Sequence, residues 1–159
     1  MQNRYLKIQA DAIRRYRIDL CDGTKCPEGD GRRTHAHVRK RRICKWRPKN
    51  SAESTFELFH EIGHIETGRG AMRRAEEEWA ATVWAIDRFR ELGMTVPPRT
   101  MLEYQRYILL EVSRGLRRRA SGYPRMNLYA HAGLETPAQL MTIDPKDRWW
   151  CEPEALSVL

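Results

Sequence analysis

Ser51-Ala52-Glu53-Ser54-Thr55-Phe56-Glu57-Leu58-Phe59-His60-Glu61-Ile62-Gly63-His64-Ile65-Glu66-Thr67-Gly68 is the stretch on which the fold turns. Asn50 with Glu53, and Ser54 with Glu57, have the spacing of a capping box, so a helix is predicted from about Asn50 or Ser51 to Thr67, ended by Gly68 and Gly70. Residues four apart stand one above the other on a helix, so His60 and His64 offer two imidazole nitrogens to one metal ion. Glu61 lies about 100° round from His60, near enough to act on a water at that metal without being a ligand. Leu58, Ile62 and Ile65 form a neighbouring apolar stripe that would bury this face.

A catalytic zinc takes a third protein ligand and keeps one open position. The next helix is predicted from about Ala71 to Leu92, stopping at Gly93, with Met72, Ala75, Trp79, Val83 and Ile86 as its apolar stripe. It carries Glu76-Glu77-Glu78. Helical projection sets Glu77 beside Trp84 and Arg88, and Glu76 beside Asp87 and Glu91, both facing solvent. Glu78 falls with Thr82, Ala85 and Phe89, where small residues allow another helix to approach. Projection therefore ranks Glu78 first as third ligand, with Glu76, Glu77 or a merely solvated acidic cluster as alternatives.

Upstream, Tyr5, Ile8, Ala12 and Tyr16 mark a first helix over about Asn3 to Arg17, and Ile18-Asp19-Leu20 can begin a strand. Cys21 to Arg33 is dense in Gly, Asp and Pro and reads as a loop. From Thr34 to Trp46 a strand or hairpin is expected, with a bulge or turn near Arg41 to repair the alternation that Lys40 breaks. After Pro97-Pro98, the Thr100 and Glu103 pair and the stripe Met101, Tyr104, Ile108, Val112 predict a helix to about Arg117. Beyond it the signal weakens to a short strand over Met126 to Ala130 and a short helix over Thr136 to Met141.

The 159 residues fit one ordinary domain, and 31% charged residues against 41% hydrophobic ones describe a folded chain with a charged surface. No apolar run reaches the roughly 20 residues of a membrane span, and the first 20 residues lack the apolar core of a signal peptide. A cytoplasmic protein is expected, with Cys21, Cys26, Cys44 and Cys151 as thiols or metal ligands rather than disulfides. Cys21 and Cys26 resemble half a zinc knuckle that Cys44 with His35 or His37 would complete, against a plain loop with free thiols. The net charge of +8 is concentrated in Arg39-Lys40-Arg41-Arg42 and Arg117-Arg118-Arg119, which read as a solvated face or as a contact for nucleic acid.

Phe56 to His64 followed by Glu78-Trp79-Ala80-Ala81-Thr82-Val83-Trp84-Ala85 resembles the ImmA/IrrE family of zinc metallopeptidases. Members carry HExxH and then a helix reading Glu, two residues, Ala, two residues, an aromatic and Ala; here Glu78, Ala81, Trp84 and Ala85 fill those places. The match is strong over about residues 51 to 90. The interval from His64 to Glu78 is short, and Leu92 to Pro97 stands where members have Leu-Met-Pro.

The resemblance implies an α+β fold: a mainly helical, zincin-like metallopeptidase domain over residues 1–125 with a small N-terminal β-sheet, and a C-terminal extension over 126–159 packed on it. It implies Zn2+ held by His60, His64 and Glu78, Glu61 as general base, and cleavage of a bacterial or phage regulatory protein such as a helix-turn-helix repressor. Tyr123 and His131 are of the right type to stabilise an oxyanion. The alternative is a nucleic-acid-binding or regulatory protein with this fold and little proteolytic activity.

Overall fold

A computed structural model describes residues 3–22, 34–68 and 74–117. Its elements are α1 (Arg4–Arg15), β1 (Asp19–Cys21), β2 (His35–His37), a 3-10 turn (Val38–Lys40), β3 (Arg42–Cys44), α2 (Ala52–Thr67), α3 (Arg74–Glu91) and α4 (Pro98–Arg117). The architecture is α+β, mostly helical, with one three-stranded sheet in the order β1-β3-β2. The expected loop over 23–33, the strand and helix beyond Ala120, the boundary near residue 125, Tyr123 and His131 lie outside the described residues.

The chain divides into two compact units, Met1–Gly70 with Ala80–Pro97, and Ala71–Trp79 with Pro98–Leu159. In the first, β3 pairs parallel with β1 and antiparallel with β2, aligning Leu20, Ile43 and Ala36 in one row and Cys21, Cys44 and His35 in the next. The expected turn near Arg41 is present: Arg41 takes φ 47° and its N–H donates to the Val38 carbonyl at 3.1 Å. This reverses the chain between two strands too short to show an alternation of their own.

Helix α2 is buried almost all round, from Ser54 to Ile65 with only Glu57 partly exposed, as befits a core helix rather than a surface one. Its N-cap is Ser51, whose hydroxyl accepts from the Ser54 N–H at 3.2 Å. Neither predicted capping box forms, because Ser54 already lies in the first turn and its own hydroxyl donates to the Arg47 carbonyl. The side-chain amide of Gln9 ties α1 to this end, donating to the Lys49 carbonyl at 2.7 Å and the Thr55 hydroxyl at 2.8 Å. The Trp46 indole N–H donates to the Ser54 carbonyl at 3.2 Å, so the segment after β3 is fixed to the start of α2.

The predicted apolar stripe of α3 is only partly buried: Ala75 is buried, but the deepest residues lie on the flank where another helix was expected to approach. Trp79, Val83 and Ile86 are half-buried, while Ala81, Thr82, Ala85 and Phe89 are wholly buried. The helix turns its small residues inward because only they permit close contact with α2. Phe89 fills the space that opens beyond them, meeting Phe56 and Phe59 edge to face at centroid distances of 5.3 and 5.8 Å.

In the second unit, α4 begins at Pro98, where a missing N–H is harmless, so Thr100 lies within the first turn and is not the cap. Ile108 is its wholly buried residue among those whose side chains are described. Phe89→Ala should lower stability by about 3–5 kcal/mol, seen as a fall in the urea midpoint with unchanged slope.

Candidate metal centre

His60 and His64 stand one turn apart on α2, with rings nearly perpendicular at 84° and centroids 4.7 Å apart. Their Nε2 atoms are 3.1 Å from each other. Two nitrogens bound at 2.0–2.1 Å to a tetrahedral ion would be separated by roughly 3.3 Å, so this pair needs almost no movement to share one. The Thr82 hydroxyl on α3 lies 3.3 Å from His60 Nδ1. A hydrogen bond at the far ring nitrogen fixes the orientation in which Nε2 is presented.

The approach of Thr82 to His60 depends on Gly63. A Cβ at that position would lie 2.7 Å from the Ala81 carbonyl oxygen and 2.9 Å from the Ala81 Cα. Both are backbone atoms that cannot swing aside, so α2 and α3 touch here main chain to main chain. Glycine within a helix costs about 0.5–1 kcal/mol relative to alanine, a penalty this contact explains.

Glu78 precedes Thr82 by one turn of the same uninterrupted helix. The candidate ligand atoms of His60, His64 and Glu78 all lie within 4.8 Å of one another, and all three residues are buried. Projection had ranked Glu78 above Glu76 and Glu77. Those two are half-buried rather than solvent-facing, and Glu77 lies 3.6 Å from Arg74. Glu61 is also buried, at 8% exposure, beside His60 at 4% and His64 at 5%; Glu78 is at 1%. Four ionisable groups withdrawn from water cost several kcal/mol unless compensated, and two neutral imidazoles with a carboxylate form a donor set suited to zinc.

Sequence reading did not single out Arg74, whose Nη2 lies 2.6 Å from Glu78 Oε1. Its position four residues before Glu78 was the available signal. Burial opposes the Arg74 charge, but Glu78, together with Tyr107 and Glu111, outweighs it and holds the guanidinium above its ordinary pKa. Arg74 therefore stays cationic throughout the accessible pH range, and Glu78 keeps a charged partner.

A second group of candidate ligands, His35, His37 and Cys44, also has its ligand atoms within 4.8 Å of one another. Cys21 is outside any disulfide, as expected. Cys44 departs from that expectation, being disulfide-bonded.

Half of the run Arg39 to Arg42 is engaged in ion pairs. Arg41 pairs with Glu66 at 2.6 Å and also donates to the Tyr16 carbonyl, while Arg42 donates through Nε to Asp19 at 2.6 Å. Arg39 and Lys40 are exposed. Arg118 and Arg119, and the side chain of Arg117, lie outside the described residues. No helix among the described residues is long and apolar enough to cross a membrane.

Gly63→Ala should destabilise the chain by about 1–3 kcal/mol in spite of alanine's better helix propensity, because the clash is with backbone. Thr82→Val removes the buried hydroxyl that faces His60 Nδ1 and should lower stability by about 1–3 kcal/mol in urea unfolding while weakening zinc binding by about tenfold, read by competition with a chelating dye. Compared with known proteins, the chain matches no family model, no curated protein and no solved structure, so the geometry itself carries the functional reading.

Proposed function

We propose that this chain is a zinc-dependent endopeptidase, with His60, His64 and Glu78 as metal ligands and Glu61 as general base. The observation that carries the reading is the 3.1 Å separation of the His60 and His64 Nε2 atoms, with a buried Glu78 oxygen within 4.8 Å of the same atoms. The resemblance of residues 51 to 90 to the ImmA/IrrE pattern supports it, and a zincin-like domain is the corresponding reading of the fold.

When bound, zinc supplies a Lewis acid and brings a coordinated water near neutrality. Glu61 takes the proton from the attacking water and later delivers it to the leaving amine. Thr82 keeps the His60 ring turned toward the centre through Nδ1. Arg74 sets its positive charge 2.6 Å from one Glu78 oxygen and so favours the ionised carboxylate. Burial of Glu61 keeps bulk water from competing for its proton.

The substrate in this reading is a bacterial or phage regulatory protein, a helix-turn-helix repressor being the class that the resemblance points to, and the reaction takes place in the cytoplasm. The alternative, a nucleic-acid-binding protein that keeps the site without cutting, draws on the exposed Arg39 and Lys40.

Glu61→Gln should abolish cleavage of repressors encoded beside the gene while zinc content stays near one per catalytic centre. Cleavage that persists in this variant sinks the assignment, and DNA binding that falls steeply with salt and ignores the substitution favours the alternative. Glu78→Gln should lower zinc affinity by about tenfold or more. Unchanged affinity removes Glu78 from the ligand set.

A further inference from the structure

The sheet carries a second constellation, independent of the peptidase reading. His35 and His37 are two apart on β2, so their side chains leave the same face of the sheet. Cys44 on β3 is the direct cross-strand partner of His35, which puts it on that face too. The intervening pair, Ala36 and Ile43, occupies the opposite face and is buried at 4% and 0%. Strand register alone therefore brings two imidazoles and one sulfur together.

The side chains complete what register begins. The His35 and His37 rings meet at a centroid distance of 5.0 Å and an angle of 72°. One ligand atom from each of the three residues lies within 4.8 Å of the other two. Tetrahedral zinc with Zn–N near 2.0 Å and Zn–S near 2.3 Å separates its ligand atoms by roughly 3.3–3.6 Å, so closure needs movements of about 1 Å. Arg42, opposite His37, donates to Asp19 at 2.6 Å, and its charge is offset there.

We infer that His35, His37 and Cys44 form a structural metal site that takes zinc once a dithiol reductant has exchanged with the Cys44 disulfide, leaving as its own disulfide and releasing the Cys44 thiolate. The thiolate is the ligand, so the disulfide of Cys44 and the metal exclude each other. A disulfide by itself would need neither imidazole. Two imidazoles beside a thiolate suit zinc and disfavour the hard, oxygen-seeking ions magnesium and calcium.

The test uses the full chain with its four cysteines reduced, stripped of metal and titrated with Co2+. Cobalt bound to a thiolate gives an intense near-ultraviolet charge-transfer band, which a centre made of His60, His64 and Glu78 cannot produce. The band should saturate at one cobalt per chain and persist in the His60→Ala/His64→Ala double variant, so failure of the peptidase reading leaves it untouched. It should fall about tenfold or more at equal cobalt in Cys44→Ser and in His35→Gln/His37→Gln. Absence of the band in the reduced chain overturns the site, and so does a band unchanged in His35→Gln/His37→Gln, a readout that stands even where Cys44→Ser does not fold.

Discussion

The contact between Gly63 on α2 and the backbone of Ala81 on α3 governs the geometry of the first unit. Helix axes commonly pack 8–10 Å apart according to the side chains between them, and a glycine facing an alanine removes almost all of that padding. Because Ala81 is pressed against Gly63, the next residue, Thr82, comes to 3.3 Å from His60 Nδ1. Phe89, two turns further along, packs on Phe56 and Phe59 and fixes the lower part of the same interface. A larger residue at either touching position would separate the helices where Thr82 contributes and leave the aromatic cluster to hold them alone.

Much of this was legible, for identifiable reasons. Helix α2 could be read from its length and its closing Gly68, and the turn at Arg41 from the broken alternation. The expected start near Asn50 or Ser51 holds, with Ser51 as the cap, but the two capping boxes do not form, because Asn50, Ser51 and Ser54 are all good capping residues and the bonds of Ser54 and Trp46 choose among them. Helical projection placed Glu78, Thr82, Ala85 and Phe89 where another helix could approach, and these are buried, whereas the stripe read from large apolar residues lies partly off that face because a close helix contact selects small ones. Thr82, Ala85 and Glu78 score poorly as core on any hydrophobic scale, yet they are what α3 buries. The strands, three residues each, are too short to display a period, so their register could not be read in advance.

Burial of His60, Glu61, His64 and Glu78 is the feature a purely structural account explains least well. A packed histidine pair can satisfy itself, as the 3.1 Å approach and the Thr82 contact show. A wholly buried carboxylate cannot be justified that way, since replacing it with an apolar side chain would spare its desolvation. Arg74 compensates Glu78 on one oxygen, which makes the charge tolerable but does not explain why it is there. The proposed role as a metal ligand would supply the reason, because desolvated ionisable groups concentrate where such sites are built.

The sheet poses the complementary problem of stability rather than chemistry. Three strands of three residues give few ladder hydrogen bonds, and Leu20 on β1 remains 41% exposed although it shares a row with Ile43. Such a sheet depends on what is laid over it. On one face Ala36 and Ile43 are buried, and α2 packs against β2. On the other lie the Asp19–Arg42 ion pair and the row of Cys21, Cys44 and His35 with His37 nearby, residues that pack little area but include good metal ligands. A covalent or coordinate link at Cys44 would clamp β3 at the position where it meets both neighbours, and metal binding of this kind adds directly to folding free energy. A bond to another cysteine reaches only Cys44, whereas a metal shared with His35 and His37 also grips β2, the strand on which α2 rests.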